Sequence, residues 1–162
     1  WTKRYMLHQL ARITHFIEEQ SGKDTRFDVY VDRTIKNSYD IEHIWVDHYS
    51  RYQSEFETEE EFQRTRNMFG DLVILPKDIN RSLNDDEYSK KLNKYYSQNL
   101  LVASLNEMCY KNNPNFLRFV EKHSLSFKAE NSYTKQTIIS RQLLYEQLAR
   151  LIWDVNKIND LV

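Results

Sequence analysis

Glycine, proline and cysteine are scarce in this chain. Only two glycines and two prolines occur among 162 residues, whereas an all-β sandwich or barrel needs many tight turns of the kind these residues supply. The scarcity therefore favours a helix-rich fold. Cys109 is the only cysteine, so a disulfide within the chain is excluded. Zinc sites made of four cysteines, or of two cysteines and two histidines, are excluded as well.

A strong net charge and a long apolar run are also lacking. The formal net charge is −1, so binding to nucleic acid would have to depend on local clusters of basic residues. No apolar run approaches the ~20 residues of a membrane span. Together with the single cysteine, this leads us to expect a cytoplasmic protein without a membrane segment. Apolar residues make up 40% and aromatic residues 14% of the chain, enough to build the core of one domain.

Helical periodicity dominates both ends of the chain. Residues 3–20 carry apolar side chains at helical spacing, and a second long pattern spans roughly 134–157. Trp1 opens directly into the first pattern and the chain does not begin with Met, so we expect a domain cut from a larger protein. The predicted organisation is a single domain over residues 1–162, with a core at about 27–96 and helical flanks at 1–22 and 97–162.

Short apolar and alternating patterns predict strands inside that core. Residues 27–31 alternate apolar and polar side chains, which is typical of a strand. Residues 39–44 form a second short pattern after a polar turn, and we expect the two strands to pair as a hairpin. Residues 72–75 are all apolar and predict a further strand, which Pro76 closes. The predicted fold class is α+β and mostly helical.

Capping residues predict where the helices of the core begin. Thr58 and Glu61 stand at the spacing of a capping box, which predicts a helix over about 59–68. Asn84 is a candidate N-cap for a helix over about 85–96. The segment between the last predicted strand and Asn84 is expected to be a loop or one helical turn.

Glu42 and His43 stand together at the end of the second predicted strand, and Asn80 follows the third. Phosphodiester hydrolysis needs an activated water and charge stabilisation at the phosphate. An imidazole can take a proton near neutral pH, and carboxylate and amide oxygens are hard ligands that suit Mg²⁺. Each residue also has an ordinary interpretation, Glu42 and His43 as surface or packed residues and Asn80 as a turn or cap residue.

Three motifs in this order resemble the HNH, or His-Me-finger, nucleases. They are DIEHI at residues 40–44, GDLVIL at residues 70–75 and NRSLN at residues 80–84, followed by Lys90 and Lys91. The chain is most similar to the C-terminal nuclease domain of the GmrSD-type, modification-dependent restriction endonucleases. The likeness extends to the helices at both ends and so covers most of the chain. It implies a ββα-metal core of the His-Me-finger type, wrapped by flanking helices.

The resemblance implies a role for each motif position. His43 matches the general base, Glu42 the acidic metal ligand beside it and Asn80 the distal metal ligand. Asp71 matches a central position that is usually Asn and that orients the loop of the base. An ionised carboxylate only accepts hydrogen bonds, whereas Asn also donates, so the alternatives are that Asp71 holds the imidazolium form of His43 or joins the metal site. The implied cofactor is a divalent cation, Mg²⁺ or Mn²⁺, and not zinc.

Five further residues are candidates for contact with DNA. Lys90 and Lys91 on one predicted helix, and Arg64 on another, could meet phosphates or could face solvent. Asn84 is either a substrate contact or a helix cap. His48 is a phosphate contact, a third metal ligand or an ordinary loop histidine.

The implied function is that of a metal-dependent DNA endonuclease of a bacterial restriction and antiviral defence system, which nicks or cuts DNA. In the resembling family a separate N-terminal nucleotide-hydrolysing domain senses DNA modification, and this chain shows no Gly-rich phosphate loop of its own. Two alternatives stay open. One is a catalytically weakened DNA-binding or assembly module that keeps the fold, which Asp71 motivates. The other is a ribonuclease of the same fold.

Overall fold

The computed structural model of the protein describes residues 3–154, which form several helices around a small sheet. In chain order the elements are α1 (Lys3–Gln20), α2 (Phe27–Val31), β1 (Tyr39–His43), α3 (Glu59–Arg66), β2 (Leu72–Pro76), α4 (Lys77–Leu83), α5 (Tyr88–Tyr95), α6 (Leu100–Ala103), α7 (Glu107–Asn112), α8 (Pro114–Lys122) and α9 (Lys135–Ile152), with 3-10 turns at Tyr49–Arg51 and Phe69–Asp71. The predicted α+β, mostly helical class is confirmed.

The sheet of the described chain consists of β1 and β2, which run antiparallel. The register places Glu42 opposite Val73 and His43 opposite Leu72. Helix α4 begins directly after β2, and the segment between β2 and Asn84 is therefore helical. The end of β1 that carries Glu42 and His43 thus lies beside the start of β2, where the second sequence motif begins.

The strand predicted over residues 27–31 is wrong, because these residues form helix α2. An alternating pattern of five residues also places Phe27, Tyr30 and Val31 at the i, i+3 and i+4 spacing of a helix. Tyr30 is buried while Val29 is 43% exposed, which fits one helical face packed on α1 and no strand pairing. The predicted hairpin is wrong for the same reason, since β1 pairs with β2.

Strand β2 is buried on both faces. Leu72 and Ile74 contribute to one hydrophobic cluster, which includes the inner faces of α1 and α9. Val73 and Leu75 contribute to a second cluster around Trp45. Successive side chains of a strand point to opposite faces, so a strand between two clusters must be apolar throughout, as this one is. Strand β2 is therefore a rigid support for the end of β1.

Helix α9 and the residue before it form hydrogen bonds with the turn that precedes β2. The hydroxyl of Tyr133, just before α9, donates to the carbonyl oxygen of Gly70 at 2.6 Å. On the helix, Gln142 accepts from the Gly70 N–H at 3.2 Å and Tyr145 donates to the Leu72 carbonyl oxygen at 2.6 Å. A Cβ on Gly70 would lie only 2.0 Å from the carbonyl oxygen of Ile138. Glycine at this position therefore permits the close contact between the turn and α9.

Replacing Gly70 with alanine is expected to destabilise the domain. The clash falls on backbone atoms of α9, which cannot rotate away as a flexible side chain can, so the turn and the helix must separate. We expect a loss of about 3 kcal/mol in the free energy of unfolding, measured by urea denaturation. Gly22→Ala is a poor control because its φ is +74°. Glu146→Ala, at an exposed position of α9, is the control and should change the free energy of unfolding by no more than about 0.5 kcal/mol. Equal stability of Gly70→Ala and wild type would contradict a close contact between Gly70 and the backbone of α9.

Two helix starts test the predicted caps. The Thr58 side chain accepts from the N–H of Glu61, which confirms the cap predicted for α3. Asn84 is not the N-cap of α5, which follows Glu87. It ends α4 with φ of 37°, a conformation that Asn tolerates better than most residues. Of the long helix predicted to about residue 157, the part beyond residue 154 lies outside the described residues.

Within residues 3–154, no helix has both the length and the apolar character needed to cross a bilayer.

Candidate active site

Glu42 lies in a buried hydrogen-bond cluster beneath the end of β1. Its Oε1 accepts from Lys91 Nζ at 2.7 Å and from the Tyr95 hydroxyl at 3.0 Å. Lys91 and Tyr95 are four residues apart, so both project from one face of α5. Burial raises the pKa of Glu42, and the nearby Lys91 ammonium opposes that rise. Glu42 Oε2 has no hydrogen bond to any residue of the described range.

The Lys91 ammonium also fixes the backbone around His43. It donates to the carbonyl oxygens of His43 and Ile44, each at 3.1 Å. With Glu42, these carbonyls satisfy all three N–H donors of the ammonium. Lys91 is only 1% exposed. The predicted contact between Lys91 and DNA phosphate therefore has no basis in this conformation, and the residue instead holds the strand end together from inside.

Asp71 holds the segment that follows His43. Its backbone carbonyl accepts from the Ile44 N–H at 2.9 Å, and its carboxyl group accepts from the Trp45 N–H at 3.1 and 3.4 Å. Asp71 is fully buried, and this burial raises its pKa well above the usual value, with the Trp45 hydrogen bond opposing the rise. The side chain acts here as an acceptor, a task that Asp and Asn can both perform.

Asp71→Asn is therefore expected to stabilise the protein at high pH. The folded protein raises the pKa of Asp71 above its value in the unfolded chain. The protonated carboxyl group therefore stabilises the folded state at low pH, and this stabilisation is lost as the pH rises above the ordinary pKa of Asp. Asn keeps the acceptor and cannot ionise. We expect similar melting temperatures at pH 4 and a gain of about 3 °C or more for the variant at pH 8, measured by calorimetry. A variant less stable than wild type at pH 8 would contradict this account.

His43 is half-buried at the end of β1. Its Nε2 lies 3.4 Å from Asn67 Oδ1. The pKa of His43 is lowered to about 4, chiefly by burial and next by the positive charge of Arg66, while Asn67 and Asp47 act in the opposite direction. The imidazole is therefore neutral at physiological pH and has a lone pair available to take a proton.

Asn80 lies on α4, across from Ile41 of β1. Its Nδ2 donates to the carbonyl oxygen of Ile41 at 3.0 Å, and this contact fixes the orientation of the amide. The other end of the amide, Oδ1, makes no hydrogen bond within residues 3–154. An oriented amide oxygen is thus available beside the strand that carries Glu42 and His43.

These side chains line one cavity of about 410 Å³, here called the strand-end cavity. Its walls come from β1, the segment after it, α3, α4 and α5. The residues that line it are Ile41, Glu42, His43, Trp45, Val46, Asp47, Arg66, Asn80, Arg81, Asn84, Asp85 and Lys91. A neutral imidazole, three carboxyl groups, an oriented amide oxygen and two guanidinium groups therefore border one open space.

A family model described as GmrSD restriction endonucleases, C-terminal domain, matches residues 2–148. The chain belongs to this family. The resemblance inferred from the three motifs is confirmed, and the GmrSD C-terminal domain is a nuclease domain of the restriction-endonuclease type. Neither a curated protein nor a solved structure matches the chain.

Most of the residues predicted for this GmrSD C-terminal domain meet in the strand-end cavity. Glu42, His43, Asn80 and Asn84 line it. Asp71 lies behind it, buried under the segment that follows His43. The motifs, which are far apart in sequence, are therefore brought together by the pairing of β1 with β2.

Three of the predicted DNA contacts lie outside the cavity lining. Arg64 and Lys90 are exposed on the surfaces of α3 and α5. His48 is also exposed, and its Nε2 lies 3.2 Å from Asp85 Oδ2. The structure thus pairs His48 with an acidic residue, and it leaves Arg64 and Lys90 accessible to a large ligand.

Of the two arginines near the end of α3, the structure of this GmrSD C-terminal domain places Arg66, and not Arg64, at the cavity. Arg66 Nε donates to the carbonyl oxygen of Trp45 at 3.1 Å, and Nη1 lies 3.9 Å from Asp47 Oδ2. Helical spacing in the sequence distinguishes the two arginines. Arg66 follows the buried Phe62 by four residues and so shares its helix face, whereas Arg64 does not.

Proposed function

We propose that the chain is a metal-dependent endonuclease domain of the HNH type, which hydrolyses phosphodiester bonds of DNA in a bacterial restriction system. The observation that carries this proposal is the strand-end cavity, where a neutral His43 lies beside a carboxylate and an amide oxygen in a member of a restriction-nuclease family. The antiparallel pair β1 and β2, followed at once by α4, supports a ββα-metal arrangement.

His43 is the general base of the proposed reaction. It accepts a proton from the water that attacks the phosphorus atom, and its lowered pKa keeps it neutral and able to do so. Asp71 and Lys91 hold the backbone on the C-terminal side of His43 through Trp45 and Ile44. A base whose following backbone is held in this way loses little freedom when it meets the water.

Two oxygen atoms at the cavity fit a hard cation. Glu42 Oε2 and Asn80 Oδ1 have no hydrogen bond within the described chain, and both residues line the cavity. No group of three or more His, Cys, Asp or Glu side chains suited to a metal occurs in residues 3–154. Mg²⁺ often binds through one or two protein ligands and keeps several waters. When bound there, it would supply Lewis-acid stabilisation of charge on the phosphate.

Arg66 is suited to the phosphate of the bond that is cut. Its side chain is 14% exposed and contacts the carbonyl oxygen of Trp45 and the carboxyl group of Asp47. A guanidinium presents paired N–H donors that match phosphate oxygens. We propose that it binds a non-bridging oxygen beside His43, while the exposed Arg81, Asn84 and Lys90 contact the DNA backbone further out.

The lowered pKa of His43 makes a prediction for the pH profile. A base must be neutral, so an ordinary histidine would lose activity below about pH 6.5. Because the pKa of His43 is about 4, kcat/KM should stay level from pH 8 down to about pH 5. Arg66 contributes to the lowering, so Arg66→Met should move the acidic limb to higher pH. A wild-type midpoint at 6.5 or above would contradict the assignment.

Nicking of supercoiled plasmid tests the proposed function. We expect nicked or linear product with Mg²⁺ or Mn²⁺ and none with EDTA. Labelled RNA in the same reaction should stay intact. Addition of ATP or GTP should not change the rate, because we expect the nucleotide-hydrolysing sensor domain to lie elsewhere in the full-length protein. Binding of DNA without cleavage would instead favour a weakened binding module, and preferential cleavage of RNA would favour a ribonuclease.

A further inference from the structure

Asn67 is the one side chain of the described range that forms a hydrogen bond with the imidazole of His43. It stands just beyond α3, where its own N–H bonds to the helix carbonyls of Gln63 and Thr65. The backbone of Asn67 is therefore fixed by the helix end. Its Oδ1 lies 3.4 Å from His43 Nε2. None of the three sequence motifs includes it.

The orientation of the Asn67 amide determines which atom faces His43. Asn67 Nδ2 donates to the carbonyl oxygen of Gln63 at 2.7 Å. If the amide were turned over, Oδ1 would face that carbonyl, and two acceptors would meet without a hydrogen between them. The amide nitrogen therefore points to the helix end and the amide oxygen points to His43.

An amide oxygen can only accept a hydrogen bond. The hydrogen between the two residues must therefore belong to His43 Nε2. A neutral imidazole carries one hydrogen, so Nδ1 then has the lone pair. Within residues 3–154, His43 Nδ1 has no hydrogen bond, and His43 borders the strand-end cavity.

We propose that Asn67 is a positioning residue that holds His43 with its hydrogen on Nε2, so that Nδ1 is the atom that takes the proton from water. The inference rests on the proposed function, because it specifies which nitrogen acts as the base. Asn67 also accepts the hydrogen bond of the imidazolium once Nδ1 has gained the proton, since Nε2 keeps its hydrogen throughout. The proton moves from the attacking water to Nδ1 while the water oxygen forms its bond to phosphorus. The phosphorus–oxygen bond to the leaving strand breaks, the leaving oxygen takes a proton from solvent, and Nδ1 later releases its proton to solvent.

Nuclear magnetic resonance of protein labelled with ¹³C and ¹⁵N at histidine tests this directly. The chain contains five histidines, and the signals of His43 are identified by their absence in His43→Gln. At pH 7 we expect wild-type His43 to carry its hydrogen on Nε2, which the ¹⁵N chemical shifts of the two ring nitrogens report. Asn67→Ala should raise the population of the tautomer with the hydrogen on Nδ1. A hydrogen on Nδ1 in the wild type, or unchanged tautomer populations in Asn67→Ala, overturns the proposal.

Kinetics separate positioning from a purely structural role. Asn67→Ala should lower kcat by about 10–100-fold, because a misplaced base costs rate, and should leave KM for DNA unchanged. Asn67→Asp keeps an acceptor oxygen for Nε2 but loses the donor to the Gln63 carbonyl, so it should recover only part of kcat. Gln63→Ala is the matched control on the same helix end, because it alters a side chain that contacts Asp47 and leaves the Gln63 carbonyl in place. Equal kcat in Asn67→Ala and Gln63→Ala overturns the proposal.

The two readouts also separate this inference from the proposed function. The resonance experiment requires no cleavage, so a wild type that cuts no DNA overturns the proposed function alone. The position of the hydrogen then still decides whether Asn67 orients His43.

Discussion

His43→Ala is expected to lower the rate of DNA cleavage by about 10²–10⁴-fold, the usual contribution of general acid–base catalysis. His43 lies half-buried at the wall of the strand-end cavity, and its one side-chain hydrogen bond, to Asn67, is exposed. Its removal should therefore cost little stability. Binding of DNA should persist, since the proposed phosphate contacts remain in place.

The measurement is a single-turnover rate on plasmid DNA with saturating Mg²⁺, together with a thermal melt of each protein. His15→Gln is the matched control, because His15 lies on α1 and contacts Phe27, away from the cavity. It should cleave at the wild-type rate. Cleavage by His43→Ala at that same rate would exclude His43 as the base.

Lys91→Met is expected to have the largest effect on stability. The change leaves the Glu42 carboxylate buried without its cation, and the carbonyl oxygens of His43 and Ile44 lose a donor. Breaking a buried ion pair on one side costs about 3–5 kcal/mol, because the remaining charge stays away from water. The end of β1 should loosen as well, so the folded fraction should cleave DNA more slowly than wild type.

Urea denaturation of Lys91→Met beside Lys90→Met measures this effect. Lys90 is the neighbouring residue on α5 and is exposed, so the same substitution there should change the free energy of unfolding by no more than about 0.5 kcal/mol. The double variant Glu42→Gln with Lys91→Met should recover part of the loss, because it removes the unpaired charge. Similar stabilities for Lys91→Met and Lys90→Met would contradict an internal role for Lys91.

Local sequence signals predicted the elements whose cause is local. The Thr58 cap predicted the start of α3, and the apolar run at 72–75 predicted β2, because caps and short buried strands depend on neighbouring residues. The order of the three motifs predicted that Glu42, His43 and Asn80 share one site, and all three line the strand-end cavity. Short-range periodicity cannot predict this, because it carries no information on which distant segments meet.

The predictions from sequence were wrong where contacts between distant residues determine secondary structure or burial. Residues 27–31 fit a strand or a helix equally well, and the deciding fact is that β1 pairs with β2, some thirty residues further on. Lys91 gave the pattern of a solvent-facing basic residue, yet its ammonium lies inside because α5 packs its face against Glu42. Such an ion pair joins positions 49 residues apart in sequence, so no local pattern predicts it.

Asp71 shows how the structure changes the interpretation of a departure from the family pattern. The acidic residue in place of Asn raised the possibility of a weakened enzyme, since a carboxylate cannot donate. In the structure its carboxyl group accepts from the Trp45 N–H, and no donation is needed there. The residue that orients the segment after His43 can therefore be Asp without loss of that contact.

A crystal soaked with Mn²⁺ tests most directly whether the strand-end cavity holds the catalytic cation. The anomalous signal of manganese identifies the ion without ambiguity. We expect one ion within about 2.0–2.6 Å of both Glu42 Oε2 and Asn80 Oδ1, with waters completing its coordination. A manganese ion bound elsewhere in a crystal of active protein, with no ion between Glu42 and Asn80, would contradict it.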